Sequence, residues 1–452
     1  MVLTAAVVAW GLLYVILPIF SAFVDVELFL TPDKNPQALL FFGTLIMGTS
    51  VLSGLYPAFV LSAFQPTRVL KSGDSGGKGR AFLRRRLVEF QFGVSVVLIA
   101  VTLIVYNQFD YAQNKKLGFE KEQIFYYRTG YPGVEEKAEV IKDALDLEAG
   151  VVATARFGQI PFSRYFHHRD GIGTEGSDQK VDLSIFVIDG DFIDLFAMRL
   201  VAGRNVRKGV SDEVIINETA AGAFGFADPS QAIGRQIAIN TGKESIVGVV
   251  EDFHFESIRQ RIGPVALYGI GNGNYSFTGV KVRPENMRQT MVHLEDIWKR
   301  FAPDYPFTYY FIDADFEKLY RAEERLAYIL GLFSVLAVAI ACLGVFTLGV
   351  YTAERRSKEI GVRKVLGASV RNIVILLSGE FTRLILTANL VAWPIIYMAS
   401  ERWLAHFAYK QAPGVLVYLT SGIAILLIAW LTVGGQAIRV ARRNPVQSLR
   451  QE

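Results

Sequence analysis

Cysteine is nearly absent: Cys342 is the only one in 452 residues. No disulfide can form within the chain, and a lone thiol in an apolar run reads as packing. The sequence also lacks G-x-x-x-x-G-K-[ST]. The nearest approach, Gly73-Asp74-Ser75-Gly76-Gly77-Lys78-Gly79, has the wrong spacing and no hydroxyl after its lysine. It reads as a flexible loop, so the chain is not expected to hydrolyse ATP by itself. Gly269-Ile270-Gly271-Asn272-Gly273 has no helix behind it and reads as a turn. Histidine is scarce, with five residues: His167, His168, His254, His293 and His406. Neighbours on a strand point opposite ways, which argues against His167 and His168 as a metal pair. Glu251, Asp252 and His254 cluster after an apolar strand, but no nucleophile or second acid accompanies them, so they read as a loop. No catalytic, cofactor-binding or metal-binding residue is assigned.

What is abundant is apolar. The chain is 51% hydrophobic and 20% charged, too apolar for an ordinary soluble protein and too charged to be membrane throughout. A spanning helix needs about 20 mainly apolar residues. The stretches 2–24, 38–64, 87–107, 328–351, 373–399 and 415–433 qualify, which predicts an α-helical membrane protein with about six spans. The first has neither a basic leading region nor a convincing cleavage site, so it reads as a span and not a signal peptide. Glu380 and Arg383 near the start of the fifth suggest that it opens as an interfacial turn.

Lys and Arg in the short loops set the orientation. Arg68, Lys71, Lys78, Arg80, Arg84, Arg85 and Arg86 lie between the second and third spans. Arg355, Arg356, Lys358, Arg363, Lys364 and Arg371 lie between the fourth and fifth, and Arg439, Arg442, Arg443 and Arg450 follow the last. The loop 25–36 has only Lys34 against three acids, and 400–413, with Arg402 and Lys410, is a weak exception. Both termini are then expected in the cytoplasm and 108–327 outside. Basic runs such as Arg84–Arg86 beside a span read as cytoplasmic anchors in the lipid bilayer, not as a nucleic-acid site.

Within 108–327, a strand, helix and strand are expected at 123–128, 134–147 and 151–157, and again at 278–282, 287–301 and 308–312. These units are expected to pair into one α/β layer. Between them lies a strand-rich insert, with strands at 181–188, 213–216, 236–239 and 245–250. The flanks 108–116 and 315–327 carry opposite charges at helical spacing and little Gly, Ser or Pro. They read as helical stalks continuing the adjoining spans.

A repeat is visible. Pro66-Thr67-Arg68-Val69-Leu70-Lys71 and Pro445-Val446-Gln447-Ser448-Leu449-Arg450 share Pro-x-x-x-Leu-(Lys/Arg), and each follows a pair of apolar spans containing Pro18 or Pro394. The first two spans thus look like a copy of the last two, giving one and a half units.

The run Ala353-Glu354-Arg355-Arg356-Ser357-Lys358-Glu359-Ile360-Gly361-Val362-Arg363-Lys364-Val365-Leu366-Gly367-Ala368-Ser369 resembles the cytoplasmic segment of FtsX-like permeases, as does the terminal Asn444-Pro445-Val446 with Ser448-Leu449-Arg450. Ala202-Gly203-Arg204, Val214-Ile215-Ile216-Asn217-Glu218, Ile233-Gly234 and Ile246-Val247-Gly248-Val249-Val250-Glu251-Asp252-Phe253 resemble the MacB-type periplasmic core. The family unit has four spans, with the outer domain between the first and second; residues 87–450 make one such unit. The resemblance implies an ABC transporter permease in a bacterial inner membrane, lacking the N-terminal part of a two-unit permease. It implies a non-catalytic subunit working with a separate ATPase, in export or in mechanotransmission. Its extracytoplasmic α+β domain would comprise a porter-like α/β subdomain and a strand-rich insert.

The expected organisation is two spans to 64, a basic cytoplasmic loop 65–86, a span 87–107 and the outer domain 108–327. Three spans (328–434), with a coupling segment at 352–372, and a cytoplasmic tail (435–452) complete it. A module of one and a half repeats is expected to pair with a second permease protomer, as a homodimer or heterodimer. Glu354, Arg356, Glu359, Arg363 and Gly367 are the expected ATPase-coupling residues: the ionic ones pair with the ATPase, and the glycine permits a turn. Ile360, Val362, Val365 and Leu366 would form the segment's apolar face. The alternative is a membrane-anchored sensor or scaffold that moves nothing; it would have no use for a docking segment.

Overall fold

A computed structural model describes residues 2–24, 36–62, 77–162, 167–175, 177–239, 243–271, 273 and 275–441. The loop 25–35, the glycine-rich stretch 73–76 and both copies of the Pro-x-x-x-Leu tail fall outside the described residues. Among the described residues, six helices are long and apolar enough to cross a membrane. With helices numbered along the chain, they are α1 Val2–Val24, α2 Pro36–Ser62, α3 Gly77–Asn114, α8 Ile312–Arg355, α10 Val370–Leu404 and α11 Val415–Ala441. Five contain an expected stretch whole; α2 covers the second as far as Ser62, and residues 63 and 64 lie outside the described residues. α3 and α8 run well past theirs because polar residues such as Gln108–Asn114 and Asp313–Glu324 keep helical spacing. α10 starts at Val370 without an interfacial break, so Glu380 and Arg383 lie within one continuous helix.

The chain divides into two compact units, one of Met1–Leu103, Arg325–Tyr397 and Gly414–Glu452, the other of Ile104–Glu324 and Met398–Pro413. In the first, small residues and amides hold the helices together. Thr102 and Ser334 share a hydrogen bond of 3.1 Å, Trp430 Nε1 donates to Thr382 Oγ1 at 2.9 Å, and Gln436 Nε2 donates to the Phe346 carbonyl at 3.0 Å. Cys342 Sγ accepts from Thr432 Oγ1, in line with a packing role.

The buried amide oxygens of Gln91, Asn389 and Gln436 have no conventional donor among the described residues. Each instead faces a glycine of a neighbouring helix. A Cβ placed on Gly344 would lie 2.5 Å from Gln91 Oε1; on Gly422, 2.3 Å from Asn389 Oδ1; on Gly349, 2.3 Å from Gln436 Oε1. The glycine Cα–H groups fill the donor role weakly, and the missing side chains set how closely the helices approach.

The second unit holds the sheet. β1 (Ile124–Arg128), α4 (Ala138–Asp146) and β2 (Val151–Phe157) form the first strand–helix–strand unit. β10 (Phe277–Val282), α7 (Met287–Phe301) and β11 (Tyr309–Phe311) form the second. They pair into one layer, as expected, and interleave in the order β11-β1-β10-β2, with Tyr126 opposite Gly279 and Val280 opposite Thr154. Alternation along β1 sends Phe125 and Tyr127 towards Leu294 and Trp298 of α7, while Ile124 and Tyr126 pack on the other face with Phe157, Phe192 and Phe316. This split β-α-β layer therefore has two buried faces.

The insert lies between β2 and β10. It comprises β3 (His167–Gly173), β4 (Lys180–Ile188), α5 (Phe192–Leu195), β5 (Leu200–Gly203), β6 (Glu213–Asn217), α6 (Glu218–Ala223), β7 (Gln236–Ile237), β8 (Glu244–Val250) and β9 (Val265–Gly269). Its strands continue the same sheet in the order β2-β4-β9-β6-β8-β5, and the β2–β4 pairing is confined to Phe157 opposite Ile188. β3, β5 and β9 were not among the expected strands. β9 is five residues long and buried throughout, so it carries no alternation to read. Its position is fixed by Asn217, whose Oδ1 accepts from Val265 N and also caps α6 by accepting from Ala220 N.

Candidate coupling segment

α8 ends at Arg355, and α9 follows as Ser357–Val365. Gly367 stops α9 at φ +89°, a left-handed backbone in which a side chain is strained. Ala368 N–H reaches back to the Arg363 carbonyl at 2.9 Å, the long bond of a Schellman cap. Ser369 then caps α10, its Oγ accepting from Asn372 N–H at 3.3 Å. Gly367-Ala368-Ser369 thus ends one helix and starts the next within three residues.

The side chains sort by what they touch. Glu359 and Arg363 pair with each other at 2.8 Å one turn apart, and both stay largely open to the surroundings. Val362, Val365 and Leu366 are exposed and follow i, i+3, i+4 spacing, which makes an apolar stripe along α9. Ile360 departs from the expected face: it is only 4% exposed, because it is turned into the fold. Arg356 has an internal partner, with its guanidinium on Glu380 of α10. The second Glu380 oxygen lies 3.5 Å from Arg85 of α3. Glu354 is in the last turn of α8, and its side chain lies outside the described residues. Of the five expected coupling residues, Glu359 and Arg363 are therefore available on the surface of α9, Gly367 is exposed just past its end, and Arg356 anchors its root.

Residues 331–445 match the sequence model of the family described as FtsX-like permease C-terminal, a region that takes in most of α8, all of α9 and the two spans beyond. This quarter of the chain is similar to the C-terminal region of FtsX-like permeases. Such permeases are transmembrane ABC transporter subunits and generally non-catalytic. No curated protein matches the chain. Among solved structures, the periplasmic region of MacB from Actinobacillus actinomycetemcomitans is similar at 12% identity and TM-score 0.32, covering 46% of this chain and 97% of that one. The extracellular domain of the noncanonic ABC-type transporter YknZ from Gram-positive bacteria is similar at 12% identity and TM-score 0.30, covering 41% and 97%. These two likenesses carry no argument beyond the family match to 331–445.

A second set of contacts was not visible in the permease sequence. The segment Met398–Pro413 belongs to the compact unit that holds the sheet. Gln108 clamps it, donating to the Tyr409 carbonyl at 3.0 Å and accepting from Gln411 N at 2.9 Å. Ala408 and Tyr409 N–H groups donate to the carbonyls of Arg259 and Ile258, and Ile258 N–H donates to Tyr320 Oη at 2.9 Å. Arg259 also pairs with the buried Glu323. His254 packs edge-on to Tyr409, where burial, helped by the nearby Lys115 ammonium, pulls its pKa down to about 4. The Glu251-Asp252-His254 cluster is a structural loop here. Asp252 accepts from Thr219 N and Oγ1 and from Asn217 Nδ2.

Proposed function

We propose that the chain is the membrane subunit of an ABC-type machine, in which a separate ATPase docks on α9 and drives rearrangement of the sheet domain across the membrane. The output is export or mechanotransmission. In this reading the protein sits in a bacterial inner membrane with both termini in the cytoplasm and the sheet domain outside, and it works beside a second permease protomer. The alternation of basic clusters supports this orientation.

The observation that carries the reading is α9 itself. It is short, set off between Arg356 and Gly367, and presents an open ion pair beside an apolar stripe of Val362, Val365 and Leu366. A groove on a partner protein would take both features together. Glu359→Arg with Arg363→Glu tests it, because the swapped pair can still form within α9. Membrane insertion is expected to be unchanged, while ATPase-dependent output falls about tenfold or more, since charges in a docked interface would meet the wrong sign. Full output, with the ATPase still co-purifying, would refute the docking role.

A further inference from the structure

Beside the root of α9, α3 and α10 enclose a cavity of 590 Å³. Its wall carries Arg85, Arg86, Arg356 and Arg383 against two carboxylates, Glu89 and Glu380. Glu380 is shared by Arg356 and Arg85, and Glu89 is 2.7 Å from Arg86. Arg383 has no acidic partner among the described residues, so the cavity holds a surplus of positive charge. Three guanidiniums on two spanning helices, Arg85 and Arg86 of α3 and Arg383 of α10, with a fourth from Arg356 at the root of α9, call for a resident anion.

A second cavity, of 500 Å³, shares Arg86 and Glu89 with the first and continues along the same two helices. Its wall is otherwise apolar: Phe90, Val94, Val97 and Leu98 of α3 face Val391 and Ile395 of α10. It exists because the residues at its floor, Gly93, Ala388 and Ala392, are small. A Cβ on Gly93 would have no atom within 4 Å.

We infer that the two cavities form one binding site for an anionic phospholipid. The phosphate is held by Arg383 and Arg85, and an acyl chain lies in the groove over Gly93. A lipid is the occupant that supplies a phosphate and a hydrocarbon chain in this order along a spanning helix. Free phosphate would leave the groove unfilled, and a docked helix would have to bring an acidic side chain to the same depth. Because Arg356 is part of the wall and immediately precedes α9, the bound phosphate also bears on the base of the coupling segment. The site rests on the chain's being a membrane protein and not on ATPase docking.

The test uses the full chain reconstituted in nanodiscs of mixed phosphatidylglycerol and phosphatidylcholine, released into detergent and measured by native mass spectrometry. Retention of phosphatidylglycerol over phosphatidylcholine by the unmodified chain is the expected result; equal retention would overturn the proposal. Arg85→Ala with Arg383→Ala is expected to lower that retention about tenfold, the loss of two charge-assisted contacts. Gly93→Leu, whose Cβ enters open space and whose side chain takes up part of the groove, is expected to lower it while leaving all four arginines in place. Competition by glycerol phosphate as strong as by phosphatidylglycerol would show a phosphate site without a lipid and overturn the acyl assignment. Cross-linking through a cysteine at Gly93 to a second copy, in place of lipid retention, would assign the groove to the permease pair and also overturn it.

Discussion

Glycines and amides set the distances between the membrane helices at single positions. Gly344→Ala and Gly422→Ala would each drive a methyl against a buried amide oxygen, so that the Gln91 or Asn389 side chain must turn away from its place between the helices. Each is expected to destabilise the chain by about 1–3 kcal/mol, read as a lower thermal midpoint in detergent, whereas Gly93→Ala should leave it unchanged. Equal midpoints for Gly344→Ala and the unmodified chain would remove the close-approach argument. His254 gives a pH dependence. Its folded pKa of about 4 lies below its unfolded value, so the neutral ring contributes stability above the unfolded pKa of roughly 6.5. That contribution is lost as pH falls from there towards 4. Hydrogen-exchange protection of the Ala408 and Tyr409 amides, corrected for intrinsic rates, is expected to drop across that window. His254→Phe, which keeps a ring against Tyr409, should flatten the profile; an unchanged profile would show that the titrating group lies elsewhere.

Among the elements, the spans were the most legible, because a run of about 20 apolar residues has few other uses. The paired strand–helix–strand units were legible too, since α4 and α7 carry their buried residues at helical spacing: Ile141 and Leu145 in one, Leu294, Ile297 and Trp298 in the other. β3, β5 and β9 were not. β3 is an exposed edge rich in charge, β5 is four residues long, and β9 is uniformly apolar. The amphipathic character of α9 and the turn at Gly367 were readable, because local spacing carries them. The Arg356–Glu380–Arg85 contacts were not, since they join three helices far apart in sequence and leave no local pattern. The turn yields its own prediction. Gly367→Val forces a β-branched residue into a left-handed backbone, costing about 1 kcal/mol or more and blurring the break between α9 and α10. Coupling should fall with little loss of global stability, as judged by ATPase-dependent output against the thermal midpoint. Unchanged coupling would make the turn incidental.

The whole molecule comprises a bundle of spanning helices, a sheet domain and α9, the helix proposed to meet a partner. In a chain freed of Cys342, a cysteine at the exposed Gly173 is expected to react with an impermeant thiol reagent added to intact cells, and one at the exposed Arg371 to be protected. The opposite pattern would invert the topology. The central claim is that α9 meets an ATP-hydrolysing subunit, and its exposed end gives the most direct access to that contact. A photo-activated cross-linker placed at Leu366, 80% exposed at the end of the apolar stripe, should capture one protein in native membranes. The account predicts that this protein hydrolyses ATP and that its capture is lost in the Glu359→Arg, Arg363→Glu chain. Adducts with lipid alone, or with a protein whose capture ignores the charge swap, would contradict it.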